Sequence, residues 1–274
     1  MYICPKCKMP LCLEGMSYKC INGHSFDLSA KGHVNLLLSG KSGIHGDNKA
    51  MLIARREFLS AGFYADIINK LADIISSSYD GKSLIRVLDA GCGEGYYTGA
   101  LYDALVQRNI SAEIFGIDVS KDGVMMAAKK HKKCSFAVAS VNSLPFADES
   151  FDYVLSLFAP IAEEEFARVL APCGTLITVS PSPRHLWGLK EAVYDTVYEN
   201  EETTFSPRLL KASGCDSYSR IVTLTDGKLI SSLFQMTPYY YKTDEKGRNR
   251  ALSLETLTTE IGFMFFRYTK PGII

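Results

Sequence analysis

The sequence lacks the segments that would direct a protein out of the cytoplasm or into a membrane. It has neither the basic residue nor the apolar run that open a secretory signal peptide. No stretch of about 18 apolar residues occurs, so a membrane-spanning helix is not expected. The formal net charge is zero, so the chain has no overall basic signature of nucleic-acid binding. We therefore expect a cytoplasmic protein without a membrane partner.

The 274 residues, 47% of them hydrophobic, suit one large domain or a medium domain with a small one. Charge is distributed unevenly along this chain. Residues 1–56 carry eight basic side chains and only three acidic ones. A local basic stretch can bind a polyanion although the whole chain is neutral, but many such stretches are simply solvated.

Eight cysteines in a chain without an export signal indicate a metal site or free thiols rather than disulfides. Cys4 and Cys7 are followed, after twelve residues, by Cys20 and His24, a spacing typical of a structural zinc site. Cys12 competes for one ligand position but has no close partner. Metal binding would drive the folding of so small a module. The alternative is a set of scattered buried thiols, as we expect for the isolated Cys92, Cys134, Cys173 and Cys215.

Residues 87–97 carry the most informative pattern. An aliphatic strand ends in Asp89, and Gly91, Gly93 and Gly95 follow at alternate positions before a helix begins. Glycine permits positive φ and lets a ligand lie against bare backbone. The spacing Asp-x-Gly-x-Gly-x-Gly differs from the dinucleotide-binding Gly-x-Gly-x-x-Gly and is typical of class I S-adenosylmethionine (AdoMet) methyltransferases. An ordinary glycine-rich turn is the alternative.

Later strand ends supply further candidates for the cofactor site. Asp89 can orient the site and accept from the ammonium of the cofactor. Asp118 ends the next predicted strand and can accept hydrogen bonds from ribose hydroxyls, or it caps the following helix with Ser120. Residues 140–146, with Asn142, follow the third strand, where an adenine edge would be held. His185 lies beyond the fifth strand at the same rim, either touching a ligand or exposed at a helix start.

The acceptor is expected at the end of the fourth strand, whose carboxyl end faces the methyl group. This segment contains Phe158, Ala159 and Pro160. It lacks the Asn/Asp-Pro-Pro-Tyr/Phe signature of exocyclic-amine methyltransferases, which argues against adenine N6 chemistry.

From residue 84 onward, predicted strands and helices alternate, as in a mostly parallel sheet covered by helices. The predicted strands are 84–90, 113–118, 135–139, 152–158, 175–180, 219–224 and 260–268, and the last two form an antiparallel edge. The predicted helices are 51–60, 64–77, 96–107, 121–131, 162–170, 185–199 and 226–235. Residues 39–50 show no apolar period and are expected to form a loop.

These elements predict an α/β fold: a Rossmann-like class I AdoMet methyltransferase with a mostly parallel sheet, preceded by a small zinc ribbon. Residues 1–38 are expected to form the ribbon and 39–63 a linker with a helix. Residues 64–274 are expected to form the methyltransferase domain.

Several segments, read together, resemble one family. They are Cys4-Pro5-Lys6-Cys7 with Cys20-x-x-x-His24-x-Phe26-Asp27, Gly32-x-Val34-Asn35-Leu36-Leu37, Ala54-Arg55-Arg56-x-Phe58-Leu59-x-x-Gly62-x-Tyr64, Asp89-x-Gly91-Cys92-Gly93-Glu94-Gly95-Tyr96-Tyr97-Thr98 and Pro183-Arg184-His185-Leu186. In this order they are similar to those of the bacterial 23S rRNA guanine-N1 methyltransferases that carry an N-terminal zinc ribbon. The similarity is weaker after residue 190.

The resemblance implies AdoMet-dependent methylation of N1 of a guanine in a hairpin loop of 23S rRNA, near the ribosomal exit tunnel. It also implies a homodimer in which the ribbon helps to recognise RNA. Zinc falls on Cys4, Cys7, Cys20 and His24, and cofactor contacts fall on Tyr64, Gly93, Glu94 and His185. The basic residues expected to contact RNA are Lys6, Lys8, Lys19, Arg55 and Arg56.

Two other functions compete with this one. A small-molecule AdoMet methyltransferase could use the ribbon as a lid, and it would not bind RNA in a salt-dependent way. A non-enzymatic RNA-binding module would carry a damaged glycine loop, but the loop is intact here. The sequence does not identify a group that takes the proton from guanine N1.

Overall fold

The computed structural model describes residues 1–38, 48–81, 83–201 and 205–272. The strands are β1 (Cys12–Glu14), β2 (Ser17–Lys19), β3 (Ser25–Asp27), β4 (His33–Asn35), β5 (Ile85–Ala90), β6 (Ala112–Asp118), β7 (Ser135–Val138), β8 (Phe151–Leu157), β9 (Leu170–Pro181), β10 (Lys211–Leu224) and β11 (Leu257–Thr269). The helices are α1 (Lys49–Ser60), α2 (Ala65–Ser77), α3 (Tyr96–Gln107), α4 (Lys121–Lys130), α5 (Glu163–Val169), α6 (Trp187–Val193), α7 (Gly227–Gln235), α8 (Tyr239–Lys242) and α9 (Glu245–Leu252).

Eight strands form one sheet in the order β10-β11-β9-β8-β5-β6-β7-β4. The pairings from β9 through β8, β5, β6 and β7 to β4 are parallel, and β11 pairs antiparallel with both β9 and β10. The predicted mostly parallel sheet and its antiparallel edge are therefore confirmed. The strand order reverses at β5, and in open α/β sheets the ligand lies at such a switch point, beyond the carboxyl ends of the strands.

The sheet buries both of its faces because neighbouring residues of a strand point to opposite sides. Val87 and Leu155 belong to a core that includes α2, α3, α6 and α7. Leu88 and Val154, one position away, belong to a second core that includes α5 and the ribbon. Helix α2 shows the same logic, since the apolar positions that predicted it are all buried: Ile67, Ile68, Leu71, Ile74 and Ile75.

The N-terminal ribbon is joined to the main sheet rather than tethered beside it. Strands β1, β2 and β3 form a separate antiparallel sheet, but β4 pairs in parallel with β7 and extends the large sheet. The backbone N–H of Ile3 donates to the carbonyl of Pro145 at 2.9 Å, and the ring of Tyr2 stacks on Phe146 with centroids 5.1 Å apart. The ribbon and the sheet therefore share one core.

Several predicted elements differ from the structure, and β9 begins at Leu170 rather than at the predicted residue 175. The predicted helix 185–199 is wrong in length, since α6 begins only after Leu186, whose φ of +58° is left-handed, and Tyr194 is extended. The predicted strand 219–224 is the end of β10, whose earlier residues are mostly exposed and carry no alternating apolar pattern. Between α7 and β11, α8 and α9 were not predicted; α9 is polar and begins with Asp244 capping the N–H of Gly247 at 2.7 Å.

Two smaller expectations also change. Most of the predicted loop 39–50 lies outside the described residues, but Asn48 is already the N-cap of α1. Cys173 and Cys215 are exposed and not core residues. Cys173 has a positive φ within β9, and Cys215 lies on the edge strand β10. In the described ranges, no helix combines the length and apolarity that crossing a bilayer requires.

Candidate cofactor cavity and metal centre

One cavity of about 840 Å³ lies at the carboxyl ends of β5, β6, β8 and β9, where the topology predicts a ligand. Most of the candidate cofactor residues line it, namely Tyr64, Gly91, Gly93, Glu94, Asp118, Asn142 and His185. Asp89 and Gly95, which the sequence also assigned to the cofactor, are not among its lining residues. Seven of the nine residues assigned to the cofactor therefore lie at the surface of this cavity, and their contacts with the cofactor remain predictions.

The glycine loop is shaped by close contacts as well as by backbone angles. Gly91 has a φ of +98°, and a Cβ there would lie 2.6 Å from the Cβ of Ala159. Gly95 has a φ of +81° at the start of α3, and its Cβ would lie 2.6 Å from the Cβ of Ala127. Gly91 thus allows the loop to approach the acceptor segment, whereas Gly95 allows α3 to pack on α4.

Asp89 supports the loop from behind. It is buried, and its Oδ2 accepts a hydrogen bond of 2.6 Å from the hydroxyl of Thr98, while Oδ1 has no partner among the described residues. Burial raises the pKa of this carboxyl to about 7, and the nearby negative charge of Asp118 adds to the effect. A buried carboxyl with spare acceptor capacity favours a cationic ligand nearby.

Asp118 accepts hydrogen bonds from two backbone N–H groups, one in the glycine loop and one before α4. One carboxylate oxygen accepts from the N–H of Gly93 at 2.9 Å, and the other accepts from the N–H of Ser120 at 2.8 Å. Ser120 itself caps α4 by accepting from Gly123 at 3.3 Å. Because each carboxylate oxygen has two lone pairs, Asp118 can still accept from ribose hydroxyls.

Glu94 is a buried carboxylate in the cavity wall that lacks a hydrogen-bond partner among the described residues. It is only 2% exposed, it lines the cavity, and neither of its carboxylate oxygens has a hydrogen-bond partner in the described chain. Burial raises its pKa, and the positive charges of Lys130, Arg56 and Arg55 act in the opposite direction. A buried carboxylate without a partner is costly, and the ammonium of a methionine moiety would satisfy it.

Tyr64 and His185 form a hydrogen-bonded pair whose proton positions follow from the backbone. Nδ1 of His185 accepts from the N–H of Gly262 at 3.2 Å, so the ring proton lies on Nε2. Nε2, 2.9 Å from the Tyr64 hydroxyl, therefore donates to it and leaves the phenolic proton free to donate elsewhere. His185 is only 5% exposed, which excludes the alternative of a solvated helix-start histidine, and burial lowers its pKa to about 3.

The predicted acceptor segment lines the cavity next to the glycine loop. Phe158, Ala159 and Pro160 all line it, and the hydroxyl of Ser156 holds their turn by donating to the carbonyl of Ala159 at 3.1 Å. Phe158 has a φ of +55°, which is unusual for an aromatic residue, and its side chain is 43% exposed. Its N–H donates to the carbonyl of Val179 at 2.9 Å, so the strained conformation is held in place.

Several lining residues were not predicted from the sequence. Ser180, at the end of β9, presents a buried hydroxyl with no partner among the described residues. Tyr96 and Tyr97 also line the cavity, and they follow directly after the glycine loop, which is a signal that could have identified them. The segment 236–239 also lines the cavity, and it lies in the part of the chain where the similarity to the family is weaker.

The four predicted metal ligands converge in the ribbon. The ligand atoms of Cys4, Cys7, Cys20 and His24 all lie within 4.8 Å of one another, whereas Cys12 is exposed and outside the group. The two sulfurs of Cys7 and Cys20 are 3.7 Å apart, and Nδ1 of His24 lies 3.4 Å from Sγ of Cys4. Tetrahedral Zn²⁺, with bonds of about 2.3 Å to sulfur and about 2.0 Å to nitrogen, produces separations close to these.

The residues expected to contact RNA do not form one patch. Lys6, Lys8 and Lys19 are exposed on the ribbon, and Lys19 is paired with Glu14 at 3.2 Å. Arg55 lines the cavity and Arg56 is exposed one position later on α1. The ribbon and the cavity mouth therefore carry separate basic groups.

Comparisons with known proteins agree with this geometry. A family model described as a methyltransferase domain matches residues 81–229, and one described as the RlmA N-terminal zinc ribbon matches residues 2–39. YxjB of Bacillus subtilis strain 168, a candidate 23S rRNA guanine-N1 methyltransferase, is 35% identical over 87% of this chain and 86% of its own length.

Two further relatives have related names. A candidate 23S rRNA guanine-N1 methyltransferase of Micromonospora griseorubida is 31% identical over 97% of this chain and 96% of its own length. The 23S rRNA (guanine(748)-N(1))-methyltransferase of Streptomyces fradiae is 34% identical over 69% of this chain and 66% of its own length. The chain therefore belongs to the family of 23S rRNA guanine-N1 methyltransferases, which are AdoMet-dependent enzymes with an N-terminal zinc ribbon.

Proposed function

We propose that this protein transfers the methyl group of AdoMet to N1 of a guanine in a hairpin loop of 23S rRNA. The observation that carries the proposal is a single cavity that joins the glycine loop to the exposed ring of Phe158. One end of this cavity suits AdoMet, and the other presents a flat aromatic surface to a planar acceptor. The relatives, which match both the ribbon and the methyltransferase region, support rRNA as the acceptor.

The cofactor end is assigned group by group. Asp118 accepts from the ribose hydroxyls, and Ser140 to Asn142 border the adenine. Glu94 accepts from the ammonium, and the backbone of Gly91 and Gly93 lies along the methionine and ribose parts. Asp89 favours the cationic ligand from behind the loop without touching it.

Tyr64 is assigned to the carboxylate of the cofactor. His185 donates to the phenolic oxygen, which orients the Tyr64 proton toward the cavity. Hydrogen bonds to charged groups contribute about 1.5–3 kcal/mol each, more than hydrogen bonds between neutral groups. Tyr64 and His185 therefore supply a neutral hydrogen-bond donor, and neither side chain changes its protonation state near neutral pH.

When bound, the cofactor would supply a methyl group activated by its sulfonium. Guanine N1 attacks the methyl carbon in line as the carbon–sulfur bond breaks, S-adenosylhomocysteine leaves, and the N1 proton is lost to solvent. Phe158 stacks on the guanine and holds it near the methyl group, because proteins commonly bind an unpaired base by stacking it on an aromatic side chain. The buried hydroxyl of Ser180 is available to the edge of the base.

No carboxylate base is assigned. Among the described residues that line the cavity, the carboxylates are those of Glu94 and Asp118, and both lie on the cofactor side. The chain then acts mainly by orientation. The rate is expected to rise with pH until guanine N1 itself ionises, and a rate that levels off near neutral pH would indicate an enzyme base instead.

The direct test is methylation of 23S rRNA from a strain that lacks the enzyme, with labelled AdoMet and mass spectrometry of the nucleosides. Label in 1-methylguanosine supports the proposal. Label recovered only on small molecules would overturn it and favour the competing small-molecule methyltransferase.

A second test concerns Phe158 alone. Asn tolerates positive φ, so Phe158→Asn removes the ring without disturbing the turn, and Phe158→Tyr keeps the ring as a control. Loss of a stacking contact of about 1–3 kcal/mol lowers kcat/KM for rRNA by about 5- to 150-fold. Equal activity of both variants would remove Phe158 from the acceptor site.

Three further features belong to this proposal. The protein acts in the cytoplasm, where ribosomal RNA is made, and it works as a homodimer, as the family resemblance implies. Residues 1–38 serve RNA recognition, and 64–274 serve catalysis. Light scattering of the purified protein tests the dimer, because a monomer at micromolar concentration would contradict it.

A further inference from the structure

The end of α4 carries the densest group of positive charge in the sequence. Residues 129–133 read Lys-Lys-His-Lys-Lys, four lysines in five positions with no acidic residue between them. All four lysines are exposed. None of the sequence motifs and none of the assigned cofactor contacts uses this segment.

These lysines are not held in ion pairs by the described residues. Across the described residues, none of the four ammonium groups has a carboxylate within the 4.0 Å of an ion pair. Lys132 instead donates to the carbonyls of Ala128 and Lys31, and Lys133 lies 5.7 Å from the ring of Tyr102. Lys129 and Lys130 also complement the C-terminal end of the helix dipole, but Lys132 and Lys133 lie beyond the helix.

The cluster lies between the ribbon and the cavity. On one side, the Lys132 ammonium is 2.9 Å from the backbone oxygen of Lys31, an exposed ribbon residue. On the other side, Lys130 acts together with Arg56 and Arg55 on the buried carboxyl of Glu94, which lines the cavity. Positive groups therefore continue from the ribbon, across the end of α4, to the mouth of the cavity.

We propose that this basic band, defined by Lys31, Lys129, Lys130, Lys132, Lys133 and Arg56, binds the phosphate backbone of the RNA that carries the target base. The inference rests on the proposed rRNA function and specifies the path of the strand. Exposed lysines without ion pairs suit a polyanion, because each neutralised phosphate releases condensed counterions. Such contacts position the RNA without reading its sequence.

The test compares two charge-matched variants of the full-length zinc-loaded protein. The band variant is Lys129→Gln, Lys132→Gln and Lys133→Gln, and it leaves Lys130 in place because the charge of Lys130 acts on Glu94 in the cofactor cavity. The control variant changes exposed lysines on β10, α7 and α9, namely Lys211→Gln, Lys228→Gln and Lys246→Gln. The probe is unmodified 23S rRNA, with binding measured across a salt series and AdoMet affinity measured by calorimetry.

We expect the band variant to bind the rRNA about tenfold or more weakly near physiological salt, with the slope of log K against log salt lower in magnitude by about 2. Its AdoMet affinity and Tm stay within twofold and a few degrees of wild type, respectively. The control variant changes rRNA binding less than twofold.

The outcomes separate the two proposals. If wild type methylates rRNA and the band variant shows the wild-type slope, the band is refuted while the function stands. If the band variant and the control lose affinity equally, the effect is one of net charge and the band is also refuted. If wild type neither binds nor methylates rRNA, both proposals fall.

Discussion

The phenolic oxygen of Tyr64 lies 2.9 Å from Nε2 of His185, although the two residues are 121 positions apart. The N–H of Gly262, from β11, fixes the tautomer of the imidazole. Three separate segments thus determine where one phenolic proton points.

Replacement of Tyr64 by Phe should therefore weaken AdoMet binding specifically. The loss of one hydrogen bond to a charged group raises the Kd about 10- to 150-fold, as measured by calorimetry. Tyr79→Phe, in a partly buried position outside the cavity, serves as the control and should leave the Kd unchanged. An unchanged Kd in Tyr64→Phe would refute the assignment of this hydroxyl.

His185 should make the protein less stable in acid. Its pKa is about 3 when folded and near 6.5 when unfolded, so the unfolded chain takes up a proton as pH falls below 6.5 and the folded chain does not. This contribution to stability is fully present above pH 6.5 and is lost as pH falls. Urea unfolding between pH 7.5 and 4.5 should therefore show a steeper decline for wild type than for His185→Gln, by up to about 1.4 kcal/mol per pH unit. Parallel declines would contradict the buried neutral imidazole.

Zinc content should distinguish the cysteines of the ribbon. Natively purified protein is expected to hold one zinc per chain by elemental analysis. Cys7→Ser should lose most of it, because a closed site needs all four ligands. Cys12→Ser should retain it, since Cys12 is exposed and outside the cluster. Equal loss in both variants would mean that the ligand set is wrong.

Asp118 should be needed for the cofactor more than for folding. Asp118→Ala removes an acceptor for the ribose and for the N–H groups of Gly93 and Ser120, so the AdoMet Kd should rise at least about tenfold. Asp122→Ala, four residues later in the exposed first turn of α4, is the control. If both variants keep the wild-type affinity, Asp118 does not hold the ribose.

The sheet and its site were largely predictable, because local patterns encode them. The aliphatic strand before Asp89, the alternate glycines and the second acid at Asp118 each have a short-range signature. The metal ligands were equally predictable, because two short segments, Cys4–Cys7 and Cys20–His24, fix their spacing in the sequence. The predicted ligand roles themselves await the experiments above.

The remaining features depend on tertiary contacts that no local pattern reports. The sequence predicted that His185 begins a helix, but the left-handed backbone of Leu186 keeps His185 out of α6. His185 is instead buried against β11, where it accepts from the N–H of Gly262. Strand β10 has few buried side chains, so its length is set by pairing with β11 rather than by its own sequence. Ser180 and the 236–239 segment line the cavity because of the chain path alone.

The pairing of β4 with β7 has a consequence for the protein when its metal is removed. β4 covers the backbone edge of β7, and its position follows directly after the zinc-binding part of the ribbon. If the ribbon unfolds, the edge of a large parallel sheet becomes open to strands from other chains. By keeping the ribbon folded, the metal would prevent self-association through this edge. Removal of the metal with a chelator should therefore cause the protein to aggregate, and not only unfold the ribbon.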